Sequence, residues 1–242
     1  MVSIRTATKA DAAAVAATLS EAFRDDPAWA MSLPDDATRQ RRLARYYERA
    51  ARRHPERVDV AEEDGHVIGA MVFDPPATGS RLASRLASDL VPRLVSRLAS
   101  RLPIRRGTVS RLASRRLGGL TDAVLARLQR IVPGSALRGL MHTRAVGAYR
   151  PAEPHWYLRD IAASPRARGR GVGSALLRHR LAVIDAGGRE PVFLEATSAG
   201  SRRLYERFGF RAVGTVPTRP GEQSTAMIRP PAAEPGSGEG PA

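Results

Sequence analysis

The 242-residue chain contains no cysteine, which excludes disulfides, thiolate metal sites and a cysteine nucleophile. No apolar run reaches membrane-spanning length, and the start lacks the charged-then-apolar pattern of a secretory signal. A cytoplasmic location with no transmembrane segment is therefore the expectation. Lysine is nearly absent, so the formal net charge of +15 is almost wholly arginine. His54, His66, His142, His155 and His179 are scattered without metal-ligand spacing, and no metal is expected. What is present is an ordinary 43% of hydrophobic residues, in a chain long enough to bury one large core and carry additions.

The most informative stretch runs from Ser164 to Leu177, with glycine at 169, 171 and 173. Before it, His155 to Ala163 reads as a strand, stopped by Pro165. After it, Ala175, Leu176, Leu177, His179, Leu181, Ala182 and Ile184 keep helical spacing until Gly187-Gly188. Glycines at a strand-to-helix turn let backbone N–H groups approach a ligand. The helix start adds unpaired donors and a positive dipole end, and together these suit phosphate. Arg168 and Arg170 add fixed charge. A P-loop would need Lys before Ser or Thr after its last Gly, and no Lys is near; the alternating glycines also miss G-x-G-x-x-G.

What fits is R-x-x-G-x-G, from Arg168 through Gly171 to Gly173. With the preceding strand and Pro165 it resembles motif A of the GNAT acetyltransferases. A second apolar strand, Pro191 to Thr197, and a short helix from Ser201 to Phe208, closed by Gly209-Phe210, follow at the right distance. The ending Leu204-Tyr205-Glu206-Arg207-Phe208-Gly209-Phe210 resembles motif B of the same family. Phe193-Leu194-Glu195-Ala196-Thr197 and Glu153-Pro154-His155-Trp156-Tyr157-Leu158 are similar to segments of the puromycin N-acetyltransferase-like small-molecule acetyltransferases.

Toward the N-terminus, Val2 to Thr8 alternates like a strand, and Thr8 with Asp11 resembles a capping box. A helix to about Arg24 is expected, broken by Asp25-Asp26-Pro27, and a second from roughly 37 to 53. Residues 57–62 and 66–74 form a hairpin around Asp64-Gly65. Strand, two helices and hairpin follow the GNAT order. Between Pro76 and Pro154 lie residues that the family's core does not need. Ser-Arg-Leu-Ala recurs at 80–83, 84–87, 96–99 and 110–113, and residues 80–118 hold ten Arg against one Asp. Leu82, Leu86, Leu90, Leu94, Leu98 and Leu102 recur every fourth residue, which drifts by roughly 40° a step on a helix. A helical insertion over 75–153 is expected, interrupted at Pro92 and Pro103, with a further helix near 120–131. A solvated face, an anionic membrane or nucleic-acid phosphates would each suit its charge, and no aromatic platform singles out nucleic acid. The tail from Pro230 to Ala242 has the composition of disorder.

The resemblance implies an α/β (α+β) GNAT fold over residues 1–229: a mixed, mostly antiparallel twisted sheet, splayed at the cofactor site, with helices on both faces. It implies acetyl-CoA as co-substrate, held by Ile161, Ala163, Arg168, Gly169, Arg170, Gly171, Val172, Gly173, Ser174 and Ser201. The acetyl group passes directly to a primary amine of a small molecule. Tyr205 then matches the general acid beside the sulfur, and Glu195, which breaks an apolar strand, the general base. The other reading of Glu195 is a structural carboxylate bonded to backbone at the strand splay. Many relatives carry Asn shortly before the tyrosine, where Ser198 and Ser201 stand here. Asp26, Trp29, Tyr46 and Tyr47 fall where relatives form the acceptor pocket, and are equally compatible with core or surface. A monomer or homodimer without a specific nucleic-acid partner is the expectation. A protein or peptide N-acetyltransferase, or a CoA-binding protein whose insertion meets nucleic acid or membrane, are the other readings.

Overall fold

A computed structural model describes residues 2–76, 134–188, 190–218 and 221–231. Seven strands, β1 (Ser3–Thr6), β2 (Val58–Glu63), β3 (His66–Asp74), β4 (Trp156–Ala163), β5 (Val192–Ala196), β6 (Arg211–Pro217) and β7 (Gln223–Arg229), form one sheet. Their order is β1-β2-β3-β4-β5-β7-β6, and only the β4–β5 pair is parallel. The helices are α1 (Ala12–Ala22), α2 (Pro27–Ser32), α3 (Asp36–Arg53), α4 (Gly134–Gly147), α5 (Val172–Gly187) and α6 (Ala199–Glu206). Among the described residues no helix is long and apolar enough to cross a membrane.

The local signals act as expected, with shifted ends. Thr8 and Asp11 do form a capping box, which opens a 3-10 turn, and α1 ends at Ala22 rather than Arg24. Asp64 and Gly65 take positive φ, 49° and 76°, and close the β2–β3 hairpin. Asp25-Asp26-Pro27 is more than a break. Asp26 caps α2, accepting from the Ala28 and Trp29 N–H groups at 2.9 and 3.0 Å, with Pro27 at the first helical position. Of the expected 75–153 insertion, the repeats at 80–118 and the helix near 120–131 lie outside the described residues, as does the tail beyond Pro231.

Alternation along the strands sorts side chains onto two faces. On one, α5 packs Leu176, Leu177, Leu181 and Ile184 against Met71, Leu158, Leu194 and Met227, and α6 adds Tyr205. On the other, α1 and α3 cover Val58, Val60, Ala70 and Val72. Farther along that second face Val146 of α4 meets Phe193, Val216 and Ala226. The mixed, mostly antiparallel sheet with helices on both faces is therefore present.

One irregularity positions the site. Val72 pairs with Asp160 and Phe73 with Leu158, so Arg159 is an extra residue in β4. Leu158 faces the α5 core, and two residues on, Asp160 would face it too. The bulge reverses this, and Asp160 turns to the α3 face, where Tyr47 reaches it. Pairing of β4 with β5 covers Trp156, Tyr157 and Leu158 and stops there, although β4 continues along β3 to Ala163. The two parallel strands part at the bulge.

Candidate active site

Gly169 and Gly171 have φ of 76° and 78°, a left-handed conformation that side chains resist. A Cβ at either would meet nothing within 4 Å, so backbone conformation demands glycine and the space above the turn is open. Gly171 is the N-cap of α5, and no side chain caps the helix. The N–H groups of Val172, Gly173 and Ser174 thus form an uncapped first turn, a site for an anion. Arg168 and Arg170 are exposed beside it, and Arg170 pairs with Glu63 of β2 at 2.6 Å. Beyond Leu158 the side of β4 that carries Ile161 and Ala163 has no strand partner in β5, leaving a backbone edge open toward the splay. Ser201 has another task. Ser198 and Ser201 form a capping box at the start of α6, Ser198 Oγ accepting the Ser201 N–H at 3.1 Å and Ser201 Oγ accepting the Ser198 N–H at 3.2 Å.

Glu195 faces away from the α5 core, on the side covered by α4. Its side chain is 12% exposed. His142 Nε2 lies 2.9 Å from Oε1 and 3.2 Å from Oε2. The hydrogen bond is to Oε2, and the Ser224 hydroxyl of β7 donates to Oε1. In register Glu195 pairs with Ala226, so Ser224 is its diagonal neighbour on the same face. Burial opposes charge on His142, but the Glu195 hydrogen bond and negative charge outweigh it and hold the imidazole above its ordinary value.

Gly139, His142 and Val146 share one stripe of α4, at helical spacing i, i+3, i+7. At Gly139 a Cβ would lie 2.4 Å from the Ser32 hydroxyl, so glycine lets α4 sit directly on α2. Tyr149, just past the helix, lies over Gly214 and donates to the Thr215 carbonyl at 3.4 Å, which ties this end to β6.

Asp26 faces the same region. Its second oxygen accepts from the Thr197 hydroxyl at 2.7 Å, linking α2 to the end of β5. Burial is the main cause that raises its carboxyl above the usual range, and Glu195 adds to it. Trp29, Tyr46 and Tyr47 form an aromatic group with centroids 5.1–6.1 Å apart. Tyr47 is 1% exposed, and its hydroxyl donates to Asp160 at 2.9 Å. An open cleft of about 310 Å³ lies by the chain neighbours of Asp26, lined by Asp25, Pro27, Thr197, Ser198, Ala199, Glu222 and Gln223.

Tyr205 approaches from the other face. It is 5% exposed, its ring packs on Phe210 at 5.8 Å, and its hydroxyl makes no hydrogen bond among the described residues. Burial pushes the phenol up, and Asp160 and Asp26 push in the same direction, so at neutral pH it keeps its proton. A protonated phenol and a largely buried carboxylate are thus carried by elements flanking one splay, together able to give and to take a proton. Of the residues singled out by sequence, Glu195, Tyr205, Asp26, Trp29 and Tyr47 converge here, and the glycine turn stands at the α5 end. His142, Ser224, Thr197 and Asp160 were missed. His142 had been grouped with scattered histidines of no recognisable role, and only the packing of α4 on β5 brings it to Glu195.

The acetyltransferase (GNAT) family matches residues 136–210, a range that begins within α4 and ends after motif B. Among solved structures, the chain is similar to the Corynebacterium glutamicum ATCC 13032 protein described as histone acetyltransferase HPA2 and related acetyltransferase. Identity is 28% and the TM-score 0.60, over 97% of this chain and 98% of that one. The mosquito arylalkylamine N-acetyltransferase like 5b has the same fold at 14% identity, with TM-score 0.56 over 95% and 100% of the two chains. So does arylalkylamine N-acetyltransferase 2 from Aedes aegypti, at 12% identity and TM-score 0.53, over 95% and 98%. With both motifs built on the splayed sheet, residues 136–210 form a GNAT acetyltransferase domain, and the chain is an enzyme of that type.

Proposed function

We propose that this enzyme transfers the acetyl group of acetyl-CoA directly to a primary amine of a small molecule, with Glu195 as general base and Tyr205 as general acid. The observation that carries this reading is the pair of opposed groups at the splay, a held carboxylate and a protonated phenol. The GNAT family uses acetyl-CoA, and the chain has features that fit it. The turn from Arg168 to Ser174 offers N–H groups and positive charge to a pyrophosphate. The open β4 edge at Ile161 and Ala163 offers backbone groups to the pantetheine amides and to the thioester oxygen. The Ser198 and Ser201 hydroxyls are engaged with each other, so Ser201 contributes the helix start rather than a free side chain.

In the transfer, the acceptor nitrogen bonds to the thioester carbon and the carbon–sulfur bond breaks. Glu195 takes the proton the amine must lose, and Tyr205 gives its proton to the departing thiolate. Ser224 holds Oε1 and His142 holds Oε2, which fixes the carboxylate and leaves each oxygen a further lone pair for the amine. Asp26 and Trp29 supply a carboxylate and aromatic surface, a combination that suits a small organic cation, while Tyr47, expected from sequence to join them, is buried in the core behind Trp29. The alternative acceptor is a protein or peptide amine, which the description of the Corynebacterium protein as a histone acetyltransferase favours.

Thiol release measured over puromycin, polyamines, arylalkylamines and a lysine peptide tests the reading, with acetyl-CoA binding followed by calorimetry. Gly171→Glu places bulk and negative charge at the phosphate turn and is expected to abolish binding. Tyr205→Phe is expected to bind normally while kcat falls by about 10²-fold or more. Folded wild-type protein that does not bind acetyl-CoA sinks the transferase reading, and turnover of the peptide alone transfers it to protein acceptors.

A further inference from the structure

His142 is a nine-tenths buried side chain with a single charged partner. The carboxylate of Glu195 only accepts, so the proton between them sits on Nε2. Nδ1 is buried and has no hydrogen-bond partner among the described residues. The charged groups acting on the ring are Glu195 from β5 and Asp26 from the start of α2. β7 contributes the neutral Ser224 hydroxyl through Glu195, and β6 the Pro217 carbonyl. On α4 itself, Arg138 and Arg144 are exposed. An imidazole hydrogen-bonded to one carboxylate, with a second acting from farther off, holds its proton above the ordinary histidine range.

We propose that His142 is the positioning residue of the catalytic base: its Nε2–H, bonded to Oε2 while Ser224 holds Oε1, fixes the Glu195 carboxylate toward the acceptor, and its own protonation sets how strongly that carboxylate attracts a proton. As imidazolium, His142 stabilises the ionised carboxylate and makes Glu195 a weaker base. As neutral imidazole it keeps the hydrogen bond but drops the charge, and Glu195 becomes the better base. Activity therefore rises with pH through the titration of His142, which lies above the ordinary histidine value of ~6.5 because of Glu195. The inference rests on Glu195 as base.

The test compares kcat against pH for His142→Gln, His142→Ala and Glu195→Gln, beside NMR titration of the His142 ring. Gln donates to the Glu195 carboxylate as Nε2 does but never titrates. His142→Gln is expected to keep most of the high-pH kcat and lose the acid limb assigned to His142. His142→Ala is expected to lower kcat at least tenfold with the KM for acetyl-CoA unchanged. In Glu195→Gln the His142 ring is expected to titrate at lower pH. A wild-type acid limb in His142→Gln overturns the proposal while leaving Glu195 as base, since Glu195→Gln reads that role separately. Wild-type kcat in Glu195→Gln removes both.

Discussion

Asp160 illustrates how one inserted residue decides a side chain's environment. The bulge at Arg159 turns it onto the α3 face, where it is 8% exposed and accepts the Tyr47 hydroxyl. Burial raises its carboxyl, and the Arg159 charge and the Tyr47 bond offset only part of this. An acid whose folded value is raised holds its proton more tightly folded than unfolded. Its contribution to stability is thus most favourable below the unfolded value of ~3.9 and declines as pH rises through the folded value. Asp160→Asn keeps an oxygen for Tyr47 and removes the titration. Relative to wild type, its stability is expected to improve as pH rises from about 4 to 7, in urea melts at several pH values, whatever constant cost the amide adds. A difference that does not move with pH refutes this. No sequence pattern marks the bulge, because Leu158, Arg159 and Asp160 read as uninterrupted strand; the register of β3 imposes it.

At the scale of elements, α4 is the piece that completes the site. It sits on α2 at Gly139 and on the sheet at Val146, and these contacts bracket His142. Gly139→Ala forces its methyl against Ser32 and is expected to cost about 1–3 kcal/mol, a cost typical of overpacking. Because the displaced helix carries His142, kcat and acceptor KM are expected to suffer while acetyl-CoA affinity, set at α5, does not. Adding Ser32→Gly is expected to restore both, by thermal melting and steady-state kinetics. Loss of acetyl-CoA binding in Gly139→Ala contradicts the division of labour between α4 and α5. The glycine turn was legible from sequence because its parts are contiguous from Arg168 to Ser174. The α4 contribution was not, since His142 and Glu195 stand 53 positions apart and nothing local ties them.

Over the whole molecule, the two faces must hold their spacing for the splay to stay open. Arg180 of α5 donates to Asp59 of β2 at 2.7 and 2.5 Å, with Asp59 fully buried and the guanidinium 3.7 Å from the Phe73 ring centroid. The pair locks the cofactor-side helix to the sheet. Arg180→Met leaves a buried carboxylate without its partner and is expected to destabilise by about 3–5 kcal/mol in urea unfolding. Asp59→Asn combined with Arg180→Met is expected to lose less than the single change, because no unpaired charge remains. Equal losses in both variants contradict this account.

By itself the sequence determined what contiguous residues can encode: the strand–glycine turn–helix from His155 to Gly187, the motif ending at Phe210, and the capping box and hairpin near the start. These are fixed by local backbone preference and by side-chain period. Only the tertiary structure decided which residues meet at the splay. The β4 bulge directs Asp160 to Tyr47, β7 brings Ser224 to Glu195, and α4 brings His142. Such contacts depend on strand register and helix packing across long separations, and no residue's neighbours in sequence carry that information.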